Sequence, residues 1–140
     1  MIVENVDGVQ KVRLKLPVWL LADKAQVAAG EKPSGFFTWT DNDTQKKSVL
    51  CYNDSSLAEE AIVGTPSLAD AAPFPISSTE TLRNIILALE VDGAEEIHID
   101  RVSDHYYHWA KITVTDFLTG LKTLLYDSDR PRHPEETQED

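Results

Sequence analysis

The sequence lacks the features that several classes of protein depend on. It contains one cysteine, Cys51, and therefore cannot form a disulfide within the chain. No run of apolar residues is longer than 18–22, which is far shorter than the ~18 residues that a membrane-spanning helix requires. The amino-terminal segment MIVENVDG has neither the basic nor the apolar region of a secretory signal. We therefore expect a cytoplasmic protein that does not associate with a membrane.

Positive charge is also scarce. The 13 Lys and Arg residues stand against 24 Asp and Glu, a formal net charge of −11 at pH 7. General binding to nucleic acid needs cationic side chains that replace the counterions of the phosphates, so we expect no nucleic-acid partner. Residues 127–140 hold six acids, two arginines, two prolines and no hydrophobic residue. Because burial cannot offset the ordering entropy of such a segment, the sequence predicts one globular domain over 1–126 and a disordered acidic tail over 127–140.

None of the short motifs that signal catalysis or cofactor binding occurs in the sequence. There is no G-x-S-x-G, Walker A, G-x-G-x-x-G, C-x-x-C or H-E-x-x-H sequence. Cys51 lies in an apolar stretch without a helix N-terminus behind it, which is typical of a cysteine that packs as a small hydrophobic residue. Trp19 and Trp39 are interpreted as anchors of the core. We therefore predict no catalytic residue, no metal and no cofactor.

Hydrophobic periodicity predicts an α/β (α+β) domain. Two aromatic and β-branched stretches, 36–40 and 48–52, flank a turn and predict a hairpin whose second strand, apolar on both faces, is central. A short helix follows, for which Asp54-Ser55-Ser56 offers caps and Ser56 and Glu59 have the spacing of a capping box. A longer amphipathic helix with Ser77 as its cap comes next. The order is β, β-hairpin, α, α, β, β, α. This order indicates a single layered domain with a mixed sheet of about five strands and about three helices.

The segment HIDRVSDHYYHW, residues 98–109, holds three of the four histidines of the chain. If it forms two adjacent strands, His98, Asp100 and His108 lie on one face, where they could bind a metal or act as acid and base. The alternative is a structural hairpin in which Tyr, His and Trp side chains pair across the strands. Because no metal-binding motif supports the first interpretation, the hairpin is favoured.

A row of cations stands out in this acidic chain. Lys11, Arg13 and Lys15, which we name the basic stripe, alternate with apolar residues at positions 12, 14 and 16. This is the period-2 pattern of a strand with one face in the core. The basic stripe is either a solvated face that protects an edge strand against aggregation or a docking surface for an acidic partner or the acidic tail. It is the candidate binding site that the sequence offers.

Three segments together resemble the SseB-type N-terminal domain of bacteria. FFTWTDNDTQKKSVLCYNDSSLAEEAI is similar to the family's hairpin and capped helix, TLRNIILALEVDGAEEIHID to its next helix and strand, and ITVTDFLTGLKTLL to its closing strand and helix. The resemblance covers residues 12–126 in element order. The chain departs from the family at Asn53-Asp54, where threonine is usual, and at 98–109, where a shorter turn is common. The resemblance implies a non-enzymatic bacterial domain and supplies no active-site residue.

These observations favour a non-enzymatic protein-interaction or regulatory module with an unidentified protein partner. Two alternatives stay open. One is a small metal-dependent or acid–base enzyme that uses His98, Asp100 and His108. The other is a toxin-neutralising protein of the immunity type, which a small acidic chain would suit.

Overall fold

A computed structural model describes residues 2–102 and 109–129 of the chain. Over these residues the strands are β1 (Ile2–Val6), β2 (Val9–Arg13), β3 (Val18–Asp23), β4 (Thr38–Thr40), β5 (Lys47–Cys51), β6 (Ala71–Ile76), β7 (Ala94–Ile99) and β8 (Ala110–Thr113). The helices are α1 (Lys24–Ala28), α2 (Ser55–Gly64), α3 (Thr79–Val91) and α4 (Val114–Asp129), with a 3-10 helix at Pro66–Leu68. This content confirms the α+β class. The described strands form three sheets, however, rather than the single predicted one.

The largest sheet has the strand order β4-β5-β7-β8. β5 and β7 run parallel, with Cys51 beside Ile99, whereas β4 pairs antiparallel with β5 and β8 antiparallel with β7. The mixed sheet and the central place of β5 are therefore confirmed. Because neighbouring strands and packed layers cover β5 on both sides, residues 48–51 are all buried, which explains the near-continuous apolar sequence of this strand.

The two faces of this sheet belong to separate hydrophobic clusters. On one face, the inward side chains of β5 and β7 pack with α3 and α4 around Ile86 and Phe117. On the opposite face, Leu50 and Tyr52 pack with α2 and the 3-10 helix around Ala61. All the described residues of the second cluster precede β7 in the sequence. α2 therefore covers the half of this face that β4 and β5 form.

Two isolated bridges, Trp19 with Tyr52 and Ala22 with Phe36, join β3 to residues beside the strands of the central sheet. The backbones of Trp19 and Tyr52 exchange two hydrogen bonds of 2.8 Å. β6 was not predicted, because Pro73 and Pro75 interrupt the pattern of a strand. It forms nonetheless, since prolines two residues apart turn their nitrogens toward the same edge, away from β3.

β1 and β2 form an antiparallel hairpin that the sequence analysis also missed. Its turn residues, Asp7 and Gly8, have φ angles of 54° and 79°. Positive φ at both central residues is what a type I′ turn requires, and Asp-Gly is a preferred sequence for it. The signal was therefore present in the sequence.

The helix caps lie at or next to the predicted residues. The hydroxyl of Ser78, not of Ser77, accepts the backbone N–H three residues later at 3.1 Å and caps α3. Of the three residues predicted for α2, Asp54 is the cap, and its carboxylate accepts the backbone N–H of Leu57 at 2.9 Å. Each cap is the residue whose backbone is still extended just before the helix, and the spacing of polar residues does not select it among neighbouring serines.

α4 ends at Asp129 and so includes the first three residues of the predicted tail. Residues 130–140 lie outside the described part of the chain, and the division into a domain over 1–126 and a disordered tail over 127–140 stays a prediction. None of the helices in the described ranges is long and apolar enough to cross a membrane.

Candidate functional site

α2 covers the β4–β5 half of one face of the central sheet. β7 and β8 form the other half of that face. Ile97 and Ile99 of β7 point into the cluster on the α3 side, so strand alternation places Glu96 and His98 on this other face. The strand pairing sets His98 between Leu50 of β5 and Lys111 of β8. Because β5 and β7 are parallel, the residues that follow them meet at the same edge of the sheet, which is where α/β sheets commonly bind ligands.

Asp100 links the ends of β5 and β7. Its Oδ1 accepts the backbone N–H of Asn53 at 2.8 Å, and its Oδ2 accepts the side-chain amide of Asn53 at 2.6 Å. The backbone N–H of Asp100 donates to the carbonyl of Cys51 at 2.9 Å. Its φ of 62° is left-handed, which aspartate tolerates better than most residues. Asp100 therefore turns the chain out of β7 and directs the next residue, Arg101, across the edge of the sheet.

Arg101 lies against two tryptophans. Its guanidinium carbon is 5.1 Å from the ring centroid of Trp39 and 4.9 Å from that of Trp109, both within the ~6 Å of a cation–π contact. Its Nη1 lies 2.9 Å from Nδ1 of His98. Its backbone carbonyl accepts the hydroxyl of Tyr52 at 2.7 Å. These contacts hold both the backbone and the guanidinium of Arg101 in place.

His98 supports Arg101 from within the sheet. Its side chain is 6% exposed, and its ring centroid lies 4.8 Å from that of Trp109. Burial, followed by the positive charge of Arg101, lowers the pKa of His98 from 6.5 to about 4, although Glu96 opposes this shift. Nε2 is 3.7 Å from Oε1 of Glu96, and no described group hydrogen-bonds to it. His98 is therefore a neutral base at pH 7.

An apolar cleft opens beside Arg101, between the central sheet and the end of α2. We name it the Arg101 cleft; its volume is about 310 Å³, and its walls include Trp39, Tyr52, Ala61, Thr65, Leu68 and Arg101. Among the described residues that line it, only Arg101 carries a charge. The cleft can therefore hold an apolar group against its walls.

The structure directs His98 and Asp100 to different partners. His98 turns Nδ1 to Arg101, whereas both carboxylate oxygens of Asp100 accept hydrogen bonds from Asn53. His108 and the turn predicted at Ser103-Asp104-His105 lie outside the described residues. β7 and β8, on either side of them, pair antiparallel. Within residues 2–102 and 109–129, no three or more His, Cys, Asp or Glu side chains are placed to hold a metal.

The residues of the basic stripe are not among those that line the Arg101 cleft. Lys11 and Arg13 belong to β2, and Lys15 follows it. Lys15 is exposed, and Arg13 is 72% exposed, with Nη1 3.2 Å from Oε1 of Glu4 on β1. The side chain of Lys11 lies outside the described part of the structure. Val12 is 7% exposed and packs in the core, as the alternation predicts.

Sequence reasoning missed the residues of the Arg101 cleft. Trp39 was assigned to the core, yet it is only partly buried and lines the cleft. Arg101 attracted no attention because nothing local distinguishes it from a solvated charge at a strand end. By contrast, Cys51 is fully buried, and burial raises the pKa of its thiol to about 12, in keeping with a cysteine that packs as a hydrophobic residue.

A scan against protein-family models and a search of curated proteins both found no match to this chain. The resemblance to the SseB-type N-terminal domain therefore stays a prediction. A functional assignment then depends on the chemistry of the Arg101 cleft itself.

Proposed function

We propose that the chain is a non-enzymatic protein-interaction module and that the Arg101 cleft is its recognition site. The observation that carries the proposal is the contact between Arg101 and Trp39 at the wall of an open apolar cleft. Arg, Trp and Tyr are the residues that contribute most often to the binding energy of protein interfaces. Because neighbouring groups already hold Arg101, little side-chain freedom would be lost when a partner binds.

The reactive groups near the cleft support binding rather than catalysis. The Cys51 thiol is buried and stays protonated at neutral pH, so it is a poor nucleophile. His98 is buried and directs Nδ1 to Arg101, and the carboxylate of Asp100 is bonded to Asn53. A general base must reach the proton that it abstracts, and these groups face other parts of the protein. The proposal includes a cytoplasmic protein partner and no nucleic acid or membrane.

Site-specific photo-crosslinking tests the proposal. A benzophenone amino acid is placed at Ser67, an exposed residue between two lining positions of the cleft, and separately at Glu31, an exposed residue after α1. After irradiation in cells that express the protein, we expect polypeptide adducts at position 67 that disappear when Trp39→Ala is added. The same adducts at position 31, or adducts that persist in Trp39→Ala, would contradict the proposal.

A separate measurement tests the metal-dependent enzyme that the sequence left open. Elemental analysis of the purified full-length protein should find no stoichiometric zinc, iron or manganese. A metal bound at one equivalent and lost in His98→Ala would overturn the proposal and restore His98 as a ligand.

A further inference from the structure

We infer that the Arg101 cleft recognises a basic segment of a partner protein, which places a large apolar side chain in the cleft and a Lys or Arg side chain against Glu59 and Glu60 of α2. The inference rests on the proposed function and specifies the chemistry of the partner. It comes from one juxtaposition: the apolar cleft and an acidic groove on α2 meet at Gly64.

Gly64 connects the two depressions because it has no side chain. It belongs to the wall of the cleft and also to the groove, whose other described walls are Ser56, Glu59, Glu60 and Val63. A β-carbon added at Gly64 would meet no atom within 4 Å. A segment that is bound in the cleft can therefore continue over Gly64 onto the exposed face of α2.

The charge of the groove favours a basic side chain. Glu59 and Glu60 are exposed, and they are the charged residues among its described walls. Within residues 2–102 and 109–129, neither glutamate forms a hydrogen bond or an ion pair. Because the chain as a whole carries a net charge of −11, it attracts a basic segment and repels an acidic one.

Arg101 does not conflict with a basic partner. Trp39 and Arg101 lie on the wall of the cleft that the sheet forms, whereas α2 and the 3-10 helix form the facing wall. The guanidinium of Arg101 is engaged with Trp39, Trp109 and Nδ1 of His98. The basic side chain of the partner would lie beyond Gly64, with its apolar side chain between this cation and Arg101.

The dimensions of the site set the pattern that we expect in the partner. An enclosed apolar cavity of about 150 Å³ accommodates a molecule of benzene, so the cleft, at about 310 Å³, has room for one aromatic or large aliphatic side chain. Glu60 precedes Gly64 by about one helical turn, about 5.4 Å along α2. One or two residues of an extended chain, at about 3.3 Å each, span that distance.

A peptide selection tests the inference. Random decapeptides displayed on phage are selected against the immobilised full-length protein, and isothermal titration calorimetry measures the selected peptide. We expect a large apolar residue with Lys or Arg one or two positions away. Replacement of that basic residue by alanine should weaken binding about threefold, and added salt should reduce the difference between the two peptides.

Variants of α2 complete the test. The double change Glu59→Lys and Glu60→Lys should weaken binding about tenfold, whereas Glu90→Lys, at an exposed position of α3 on the opposite face of the sheet, should leave binding unchanged. A peptide with Glu at the basic position should bind the double variant better than the wild-type protein, which separates a lost contact from a defect of the fold. Gly64→Gln, for which the structure has space, should also weaken binding because it obstructs the path onto α2.

Three outcomes would overturn the inference: no enrichment, selection of peptides without a basic residue near the apolar one, or equal binding by the wild-type protein and the charge-reversed variant. If crosslinks at Ser67 depend on Trp39 but persist when Glu59 and Glu60 are replaced by lysine, the interaction module stands and only the basic partner fails. If the crosslinks are absent from the wild-type protein, both proposals fail.

Discussion

The Nη1 atom of Arg101 lies 2.9 Å from Nδ1 of His98. A guanidinium only donates hydrogen bonds, so Nδ1 must accept, and the proton of the neutral imidazole lies on Nε2. The Nε2 proton then faces the carboxylate of Glu96, with Oε1 3.7 Å from Nε2. Protonation of Nδ1 would place a second proton against the guanidinium. This relationship couples the protonation of His98 to the position of Arg101.

We expect the free energy of unfolding to fall as the pH is lowered from about 6.5 to about 4. The pKa of His98 is lowered to about 4 in the folded protein, mainly by burial, and lies near 6.5 in the unfolded chain. Between these values the unfolded chain binds more protons, so this contribution is complete above pH 6.5 and is lost on acidification. The loss should be on the order of 2 to 3 kcal/mol.

Urea denaturation between pH 7 and about 4.5 measures this dependence. The control is His98→Asn, whose side-chain oxygen can still accept from Arg101 but which does not titrate in this range. The free energy of unfolding of this variant should fall much less between these pH values than that of the wild-type protein. The same decline in both proteins would show that other groups cause it.

Asp100→Ala should destabilise the protein more than Asp100→Gly. Both changes remove the two hydrogen bonds to Asn53, but alanine must also adopt the left-handed backbone that φ of 62° requires. The difference between the two variants should be about 1 kcal/mol, the usual cost of that conformation. Denaturation of both variants measures it, and equal stability would mean that the backbone relaxes at this position.

Ser78→Ala should cost about 1 kcal/mol of stability, since its hydroxyl satisfies the backbone N–H of Thr81 at the start of α3. Ser77→Ala is the matched control: the residue is adjacent and exposed but does not cap the helix, so its effect should be within about 0.5 kcal/mol. Comparison of the thermal unfolding midpoints of the two variants shows which serine caps α3. A larger effect at Ser77 would show that α3 begins one residue earlier.

Replacement of the whole basic stripe, Lys11, Arg13 and Lys15, by glutamine should change stability by no more than about 0.5 kcal/mol. The pair of Arg13 and Glu4 is exposed, and such pairs contribute little. If the stripe also docks an acidic partner, the triple variant loses capture of that partner, and added salt weakens capture by the wild-type protein. Capture that is insensitive to both would leave the Arg101 cleft as the interaction site.

Local patterns in the sequence predicted the elements that depend on neighbouring residues. The apolar stripe of α3 is confirmed by the burial of Leu82, Ile86 and Leu89, and β4 and β5 pair around the predicted turn. These predictions succeed because helical period and turn chemistry are properties of short segments. β6 was missed because proline fits a strand only where its nitrogen faces an unpaired edge. Which edge of β6 is paired is decided by its contact with β3, which is distant in the sequence.

The sequence by itself determined the acidic charge, the single buried thiol, the α+β class, the main helices and the β4–β5 hairpin. Only the tertiary structure decided that Arg101 meets Trp39 and lies beside a cleft under α2. These side chains belong to segments far apart in the chain, and the parallel pairing of β5 and β7 brings them to one edge of the sheet. Strand order and register arise from burial summed over the whole sheet, so no single segment carries them.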